Sequence, residues 1–450
     1  MNAENDQRPE ERRSAGSAVK NSGELQAELA ALRQTCSRQQ IQLQEVQTQL
    51  LEVLNSTWWR IGEPLRLAGR RYPKLARMFR FTAWSVGKFY YYSKKGVFVQ
   101  RLSDYLRRRS VIACAREKNI AKALGLPLTE QPLKRPSEIL IPQSQTPCVS
   151  IVIPAYGHVE MTMKCLASIA AAPPEVPIEV LLVEDASGDP NVKLYNEVPG
   201  LRYIERTENL GFLKSCNEAV RHTRGEFVFL LNNDTEVMPG AIDALVQLFR
   251  ARPDAGIVGA RLLYPNGRQQ EAGGIIWKDG QAWNYGRFED PRQPEYCYVR
   301  EADYISGAAI MVPRLLWDRL GGFDEHYVPA YCEDSDLAFR VRREVLKVLY
   351  QPKALIIHHE GVSHGTDVNS GFKAYQIQNG KKFTERWKDV LLKEHLPAAT
   401  RIMRARDRSL GKKVTLVIDH YVPEPDRDAG SRTMIKFMEI LLTMGRLVKF

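Results

Sequence analysis

Little in this 450-residue chain would cross-link it, export it or anchor it in a bilayer. Its seven cysteines (Cys36, Cys114, Cys148, Cys165, Cys216, Cys297 and Cys332) are scattered, with no C-x-x-C pair and no even-numbered cluster. No disulfide framework is expected from that pattern, which reads as reduced cytosolic thiols. The N-terminal MNAENDQRPEERRSAG is polar and lacks an apolar core, so neither a secretory signal nor a signal anchor is expected there. A membrane-spanning helix needs roughly eighteen uncharged apolar residues in a row. The nearest approach, 79–99, is broken by Arg80, Lys88, Lys94 and Lys95. What is present is an ordinary globular balance of 44% hydrophobic and 26% charged residues, on a length that holds about two or three domains.

The net charge of +11 is not spread evenly. Fourteen basic residues face two acidic ones, Glu63 and Asp104, within 58–110, and the rest of the chain is nearly neutral. Aromatic and basic residues interleave through that stretch, which suits an anionic membrane surface: aromatic rings settle at the headgroups while Lys and Arg are drawn to the lipid charge. A pair of helices whose aromatics pack on a neighbouring domain is the alternative, and no nucleic-acid partner is expected. Ahead of it, Leu25, Leu29, Leu32, Cys36, Gln39, Leu43, Val46, Leu50 and Val53 advance by alternating steps of four and three. That is the spacing of a coiled-coil seam and of self-association, or of one amphipathic helix packed on its own domain. The expected organisation is 1–22 disordered, 23–57 coiled coil, 58–112 a basic membrane-surface region, and 113–147 a linker rich in proline and polar residues.

From residue 148 to about 397 the pattern changes to an α/β alternation. VSIVIPAY, IEVLLVEDAS and GEFVFLLNND read as buried strands, with MTMKCLASIA and a stretch from Phe212 as helices between them. Strands alternating with helices predict a mostly parallel, doubly wound sheet with ligands at the carboxyl ends of its strands. Two of those ends are acidic, at Glu184–Asp185 and at Asp234. A carboxylate at the mouth of a parallel sheet is badly placed for core packing and well placed for a ligand or cation. A further acidic cluster is Glu333, Asp334 and Asp336, and a histidine-rich group, HHEGVSHG, follows the strand-like ALII.

Taken in order, SIVIPAYGHVEMTMKCLASI, VEDASGD, NLGFLKSCNEAV, LLNNDTEV, ISGAAIMVPRLLWDRLGGFDEHYVPAYCEDSDLAFR and IHHEGVSHG resemble the family 2 glycosyltransferases of bacteria, over roughly 149–387. The resemblance implies a GT-A fold and a hexosyltransferase class of activity, with a nucleoside-diphosphate sugar as donor and a divalent metal, Mn or Mg, as cofactor. It implies metal ligation by Asp234, with Asn232 beside it, and by His358, which lies five residues before Ser363; adjacent His359 remains the alternative. Asp185 would recognise base and ribose, and Pro154, Tyr156, Asn209, Gly211 and Lys214 would line the nucleotide pocket. Asp334 would be the general base, with Glu333 or Asp336 as competing assignments, and direct attack would invert the anomeric centre. The chemistry asks for such groups: a departing diphosphate needs its charge neutralised, and an acceptor hydroxyl must lose its proton.

After Lys413 the sequence restarts with a strand, a glycine-containing loop and an amphipathic helix, resembling the opening of a GT-B glycosyltransferase domain. So short a segment cannot close an independent α/β core, and 413–450 is expected to be an incomplete start or a unit docked on the first domain. The expected function is transfer of a hexose or deoxyhexose, rhamnose among them, to a bacterial surface polysaccharide or its lipid-linked precursor, at the cytoplasmic face of the cell membrane. The alternatives are a nucleotidyltransferase, which lacks support from a basic N-terminal loop for triphosphates, and a non-catalytic coiled-coil scaffold.

Overall fold

A computed structural model describes residues 120–126, 133–359 and 373–450. All of these belong to one compact unit, Ser110–Phe450. The coiled coil expected over 23–57, the disordered 1–22, the basic region 58–112 and Ser363 all lie outside the described residues.

The α/β alternation is present as read. Strand β1 (Val149–Ala155) is followed by helix α1 (Val159–Ala171), β2 (Ile178–Glu184), β3 (Arg202–Glu205), α2 (Gly211–Arg221), β4 (Phe227–Leu231), β5 (Thr235–Val237) and α3 (Ala241–Ala251). The central strands VSIVIPA, IEVLLVE and FVFLL are apolar almost without interruption because both faces are covered, and every residue in them is buried. Val159, Met163, Leu166 and Ile169 of α1 form one stripe, and with Leu245 and Phe249 of α3 they cover one face of the sheet. Leu213, Cys216 and Val220 of α2 belong to the core on the other face. Each such aliphatic side chain contributes on the order of 1.5–3 kcal/mol through burial.

The second half adds β6 (Ala255–Leu263), β7 (Gln269–Glu271), β8 (Gly274–Ile276), β9 (Ala282–Asn284), β10 (Arg300–Glu301), β11 (Ala309–Pro313), α4 (Arg314–Leu320), α5 (Glu333–Arg343) and β12 (Lys347–His358). The main sheet runs β10-β12-β6-β11-β4-β1-β2-β3, with β5 on β12 and β7 on β6. It is mixed and mostly parallel. Strand β11 runs antiparallel between β4 and β6, while β6 and β12 are parallel. Two consequences place the site. Parallel β1, β2 and β4 bring their carboxyl ends, and the residues that follow them, to one edge. Antiparallel β5 then sets Thr235 opposite His358, so residues far apart in sequence arrive together.

The folded body is longer than 148–397 at both ends. Ile139 and Ile141, in the stretch read as linker, are buried, and the Ile141 amide donates to the Pro199 carbonyl at 2.9 Å. Beyond α6 (Lys373–Arg386) and α7 (Lys388–Glu394) comes α8 (Ile402–Ala405), where Arg300 Nη1 donates to the Arg406 carbonyl at 2.9 Å. The C-terminal segment forms β13 (Val414–Leu416), α9 (Ala429–Thr443) and β14 (Leu447–Lys449). Its strand, loop and helix match the sequence reading, and β14 is an additional strand, parallel to β13. Among the described residues no helix is long and apolar enough to cross a membrane.

Candidate active site

The carboxyl end of β2 carries two buried carboxylates with different tasks. Glu184 Oε1 accepts from the Gly157 amide at 3.1 Å, and both its oxygens accept from the Ser187 amide. It ties the loop after β1 to the loop after β2. Asp185 Oδ1 accepts from the Leu210 amide and the Ser215 hydroxyl, each at 3.0 Å, and Oδ2 from the Gly211 amide at 2.8 Å. Asp185 therefore caps the amino end of α2 from a different loop, where its charge meets the positive end of the helix dipole. In the 209–211 turn Asn209 Oδ1 also accepts from the Gly211 amide, at 2.9 Å, and Gly211 has φ +76° with Pro329 against it.

The remaining pocket candidates separate. Tyr156 stands just past the end of β1 with 52% of its surface exposed. Pro154 is buried in register with Val183 of β2; it is a sheet residue and does not line the mouth. Lys214 points to Glu325, 3.7 Å away at the surface.

At the end of β4, Asn232 and Asp234 lead into β5. The Asn232 amide donates to the Ala308 carbonyl at 2.9 Å. Asp234 is buried, and His358 Nε2 lies 3.2 Å from its Oδ1, an oxygen that receives no hydrogen bond. Burial works to raise the Asp234 carboxyl, but the neighbouring His358 ring outweighs it, and the group lies below the ordinary carboxylate range. His358 Nδ1 is 3.0 Å from Gln270 Oε1. His359 faces elsewhere, its Nε2 2.6 Å from Glu236 Oε1. A buried carboxylate oxygen without a donor, facing an imidazole nitrogen, is a donor set that fits a divalent cation of the Mn or Mg type. Among the described residues no group of three or more His, Cys, Asp and Glu converges.

The acidic cluster opens α5. Two successive left-handed residues, Tyr331 (φ 76°) and Cys332 (φ 71°), turn the chain sharply into the helix. Asp334 Oδ2 accepts from the Gly307 amide at 3.1 Å, and Oδ1 from the Ser335 amide at 2.6 Å. Glu333 is buried with an Oε2 that receives no hydrogen bond. Burial raises both carboxyls, and the Asp334 charge raises Glu333 further. Asp336 is fully buried and already surrounded by donors: Tyr327 Oη at 3.2 Å, Trp387 Nε1 at 2.8 Å and Arg340 Nε at 2.7 Å. Arg340 also donates to the carbonyls of Leu320 and Gly322. Both residues hold α5 in place, and Asp336 is removed from the contest for general base.

The segment 306–308 joins these groups. Ser306 donates its amide to Glu271, Gly307 donates to Asp334, and Ala308 accepts from Asn232. The β4 motif and the acidic helix are thus held by consecutive residues of one loop. This order of elements and residues is that of a known group: residues 150–318 match the model of Glycosyl transferase family 2. Residues 150–318 form a Glycosyl transferase family 2 domain.

Relatives of this glycosyltransferase include the O-antigen biosynthesis protein RfbC of Myxococcus xanthus, 30% identical over 50% of this chain. Another is the N-acetylglucosaminyl-diphospho-decaprenol L-rhamnosyltransferase of Mycobacterium tuberculosis, 28% identical over 59% of this chain. The chain spans 18% of the length of the former and 96% of the latter. Among solved structures, one described as GalNAc-T7 with UDP, GalNAc and Mn2+ aligns with a TM-score of 0.44 at 15% identity, over 55% of this chain and 50% of that one. Two features of the glycosyltransferase site escaped the sequence: Gln270 behind His358, and the role of 306–308 as a common support. Neither has a local signal, because each matters through a partner that only the sheet order brings close.

Proposed function

We propose that the protein is an inverting, metal-dependent glycosyltransferase. It moves a sugar from a nucleoside-diphosphate donor to a surface polysaccharide or a lipid-linked precursor of one. The observation that carries the reading is the buried Asp234–His358 pair, linked through 306–308 to a raised-pKa carboxylate at Asp334. Asp234 and His358 would hold the cation, which when bound neutralises charge on the departing diphosphate. Tyr156 and the 209–211 turn held by Asp185 would take the nucleotide, with Asn232 a near neighbour of the metal ligand Asp234. Asp334, partly exposed at the start of α5, accepts the proton of the attacking hydroxyl. Direct attack by that hydroxyl would invert the anomeric centre.

Support for a lipid-linked acceptor, and for rhamnose as a candidate sugar, comes from the mycobacterial rhamnosyltransferase. The Myxococcus O-antigen protein supports surface polysaccharide. The same reading places the enzyme at the inner membrane face through the basic region 58–112, self-associated through 23–57, and takes 413–450 as the first unit of a GT-B-like domain. Incubating the full chain with a panel of nucleotide sugars and Mn2+ or Mg2+ tests it. Sugar-dependent release of nucleoside diphosphate is expected. Release of pyrophosphate from nucleoside triphosphates would point to a nucleotidyltransferase, and no turnover with any donor would favour a scaffold.

A further inference from the structure

Gln270 is one of three consecutive polar residues in β7, all buried although the strand is short. Its side-chain oxygen lies 3.0 Å from Nδ1 of His358. An amide oxygen can only accept a hydrogen bond, so in this arrangement the ring proton is on Nδ1. In the neutral ring, the form that can ligate a cation, Nε2 then turns its lone pair toward Asp234 Oδ1, 3.2 Å away, which itself receives no hydrogen bond. Two lone-pair-bearing atoms at that separation repel unless a positive charge lies against both. The ring is also fixed in orientation, because β12 sets the His358 backbone opposite Thr235 while Gln270 reaches it from β7.

We infer that Gln270 is a positioning residue: it holds His358 in the tautomer whose Nε2 is free to bind a divalent cation together with Asp234. Outer partners of ligating histidines act in this way, fixing tautomer and ring orientation, and their loss typically weakens metal binding by about 10- to 100-fold. The inference rests on the reading of Asp234 and His358 as the cation's ligands. Its test must therefore tell the two apart.

The measurement is Mn2+ binding to the full chain by electron paramagnetic resonance, with uridine diphosphate present and, separately, thymidine diphosphate. Five proteins are compared: wild type, Asp234→Asn, Gln270→Glu, Gln270→Met and Gln270→Asn. Gln270→Glu keeps an acceptor facing Nδ1 and should bind Mn2+ within about threefold of wild type. Gln270→Met removes the acceptor and Gln270→Asn withdraws it by one methylene, and both should bind about 10- to 100-fold more weakly. In steady-state assays their deficit should lie in the Mn2+ concentration needed for half-maximal rate, with the rate restored at saturating Mn2+. A general structural defect would not be restored in that way. If Asp234→Asn loses Mn2+ while Gln270→Met and Gln270→Asn bind like wild type, the positioning role is overturned and the metal site stands. If Gln270→Met does not fold, equal affinity in Gln270→Asn and Gln270→Glu overturns the role by itself. Equally weak binding by Gln270→Glu and Gln270→Met shows that the amide nitrogen faces the ring, which overturns the tautomer assignment. If wild type and Asp234→Asn bind alike, or neither binds, the metal reading falls and this inference falls with it.

Discussion

Asp334 and Glu333 are neighbours on the first turn of α5, yet their surroundings differ. Asp334 has amide donors from Gly307 and Ser335 and keeps some exposure, whereas Glu333 is buried with one oxygen lacking a donor. Asp334→Asn is expected to leave donor and Mn2+ affinity nearly unchanged and to lower the catalytic rate by about 100- to 10,000-fold, the usual contribution of a general base. Glu333→Gln should retain much more. Titrating donor binding by calorimetry and measuring turnover on both variants checks this, with circular dichroism as the folding control. A dead Glu333→Gln beside an active Asp334→Asn would move the base by one residue. The raised carboxyls also give a pH dependence. A base must be ionised, so the acid limb of the rate should lie above the ordinary carboxylate value near 4. Stability runs the other way. A carboxyl whose folded pKa is raised contributes stability that is complete below its unfolded pKa and is lost as pH rises through the folded one. Glu333→Gln removes that loss, so the melting temperature of the variant relative to wild type should climb with pH above about 4. A flat difference would show that Glu333 is not held protonated by its site.

At the same scale, Asp234→Ala is expected to abolish transfer while leaving the circular dichroism spectrum unchanged, because the side chain lies beyond the end of β4 and supports no core contact. Activity in Asp234→Ala without added metal would remove the cation from the reaction. Asp234 was legible in the sequence because a carboxylate after a buried strand has few structural uses. Asp185 was legible for the same reason, and the structure adds that it caps the amino end of α2. The 209–211 turn brings amide hydrogens to it, and no local pattern shows that a loop after β3 will arrive there. Pro154 lies two residues before Tyr156 but still inside β1, where it is buried, whereas Tyr156 stands past the end of the strand and is exposed.

Elements were readable where the signal is local and lost where pairing is distant. The apolar runs of β1, β2 and β4 and the stripes on α1 and α2 announce buried parallel strands and covering helices. The antiparallel insertion of β11 and the short β5 depend on partners about 50 to 120 residues away along the chain. His358 could be nominated from its motif, but the choice over His359 came only from β12, which turns one toward Asp234 and the other toward Glu236. The same distinction sorts the acidic helix. Asp336 holds α5 to the loop before it and to the junction of α6 and α7 through Arg340, Tyr327 and the Trp387 indole. Removing one member of a buried pair strands the other, at a cost on the order of 3–5 kcal/mol. Asp336→Ala should therefore lower the denaturant midpoint of the whole domain, and any loss of activity should follow the folded fraction. Wild-type stability with lost turnover would return Asp336 to the reacting groups.

At the scale of the whole molecule the charge is lopsided: 58–110 carries fourteen basic and two acidic residues while the remainder is nearly neutral. The acceptors proposed here are attached to lipid, and an enzyme that meets them gains from being held at the surface where they lie. Each Lys or Arg near an anionic leaflet contributes on the order of 1 kcal/mol, so a handful acting together suffices for retention even if most remain in water. The attraction is screened over about 10 Å at 0.1 M salt and about 3 Å at 1 M. The full chain is therefore expected to sediment with vesicles containing phosphatidylglycerol and to be released progressively as salt is raised over that range. Neutral phosphatidylcholine vesicles should retain far less. A chain beginning at Ser110 should lose the anionic preference yet keep its turnover on a water-soluble acceptor analogue, because none of the proposed site residues lies before that point. Binding to anionic vesicles that survives 1 M salt would show that apolar insertion of the aromatic residues dominates. Equal binding by the shortened chain would place the membrane contact elsewhere in the molecule.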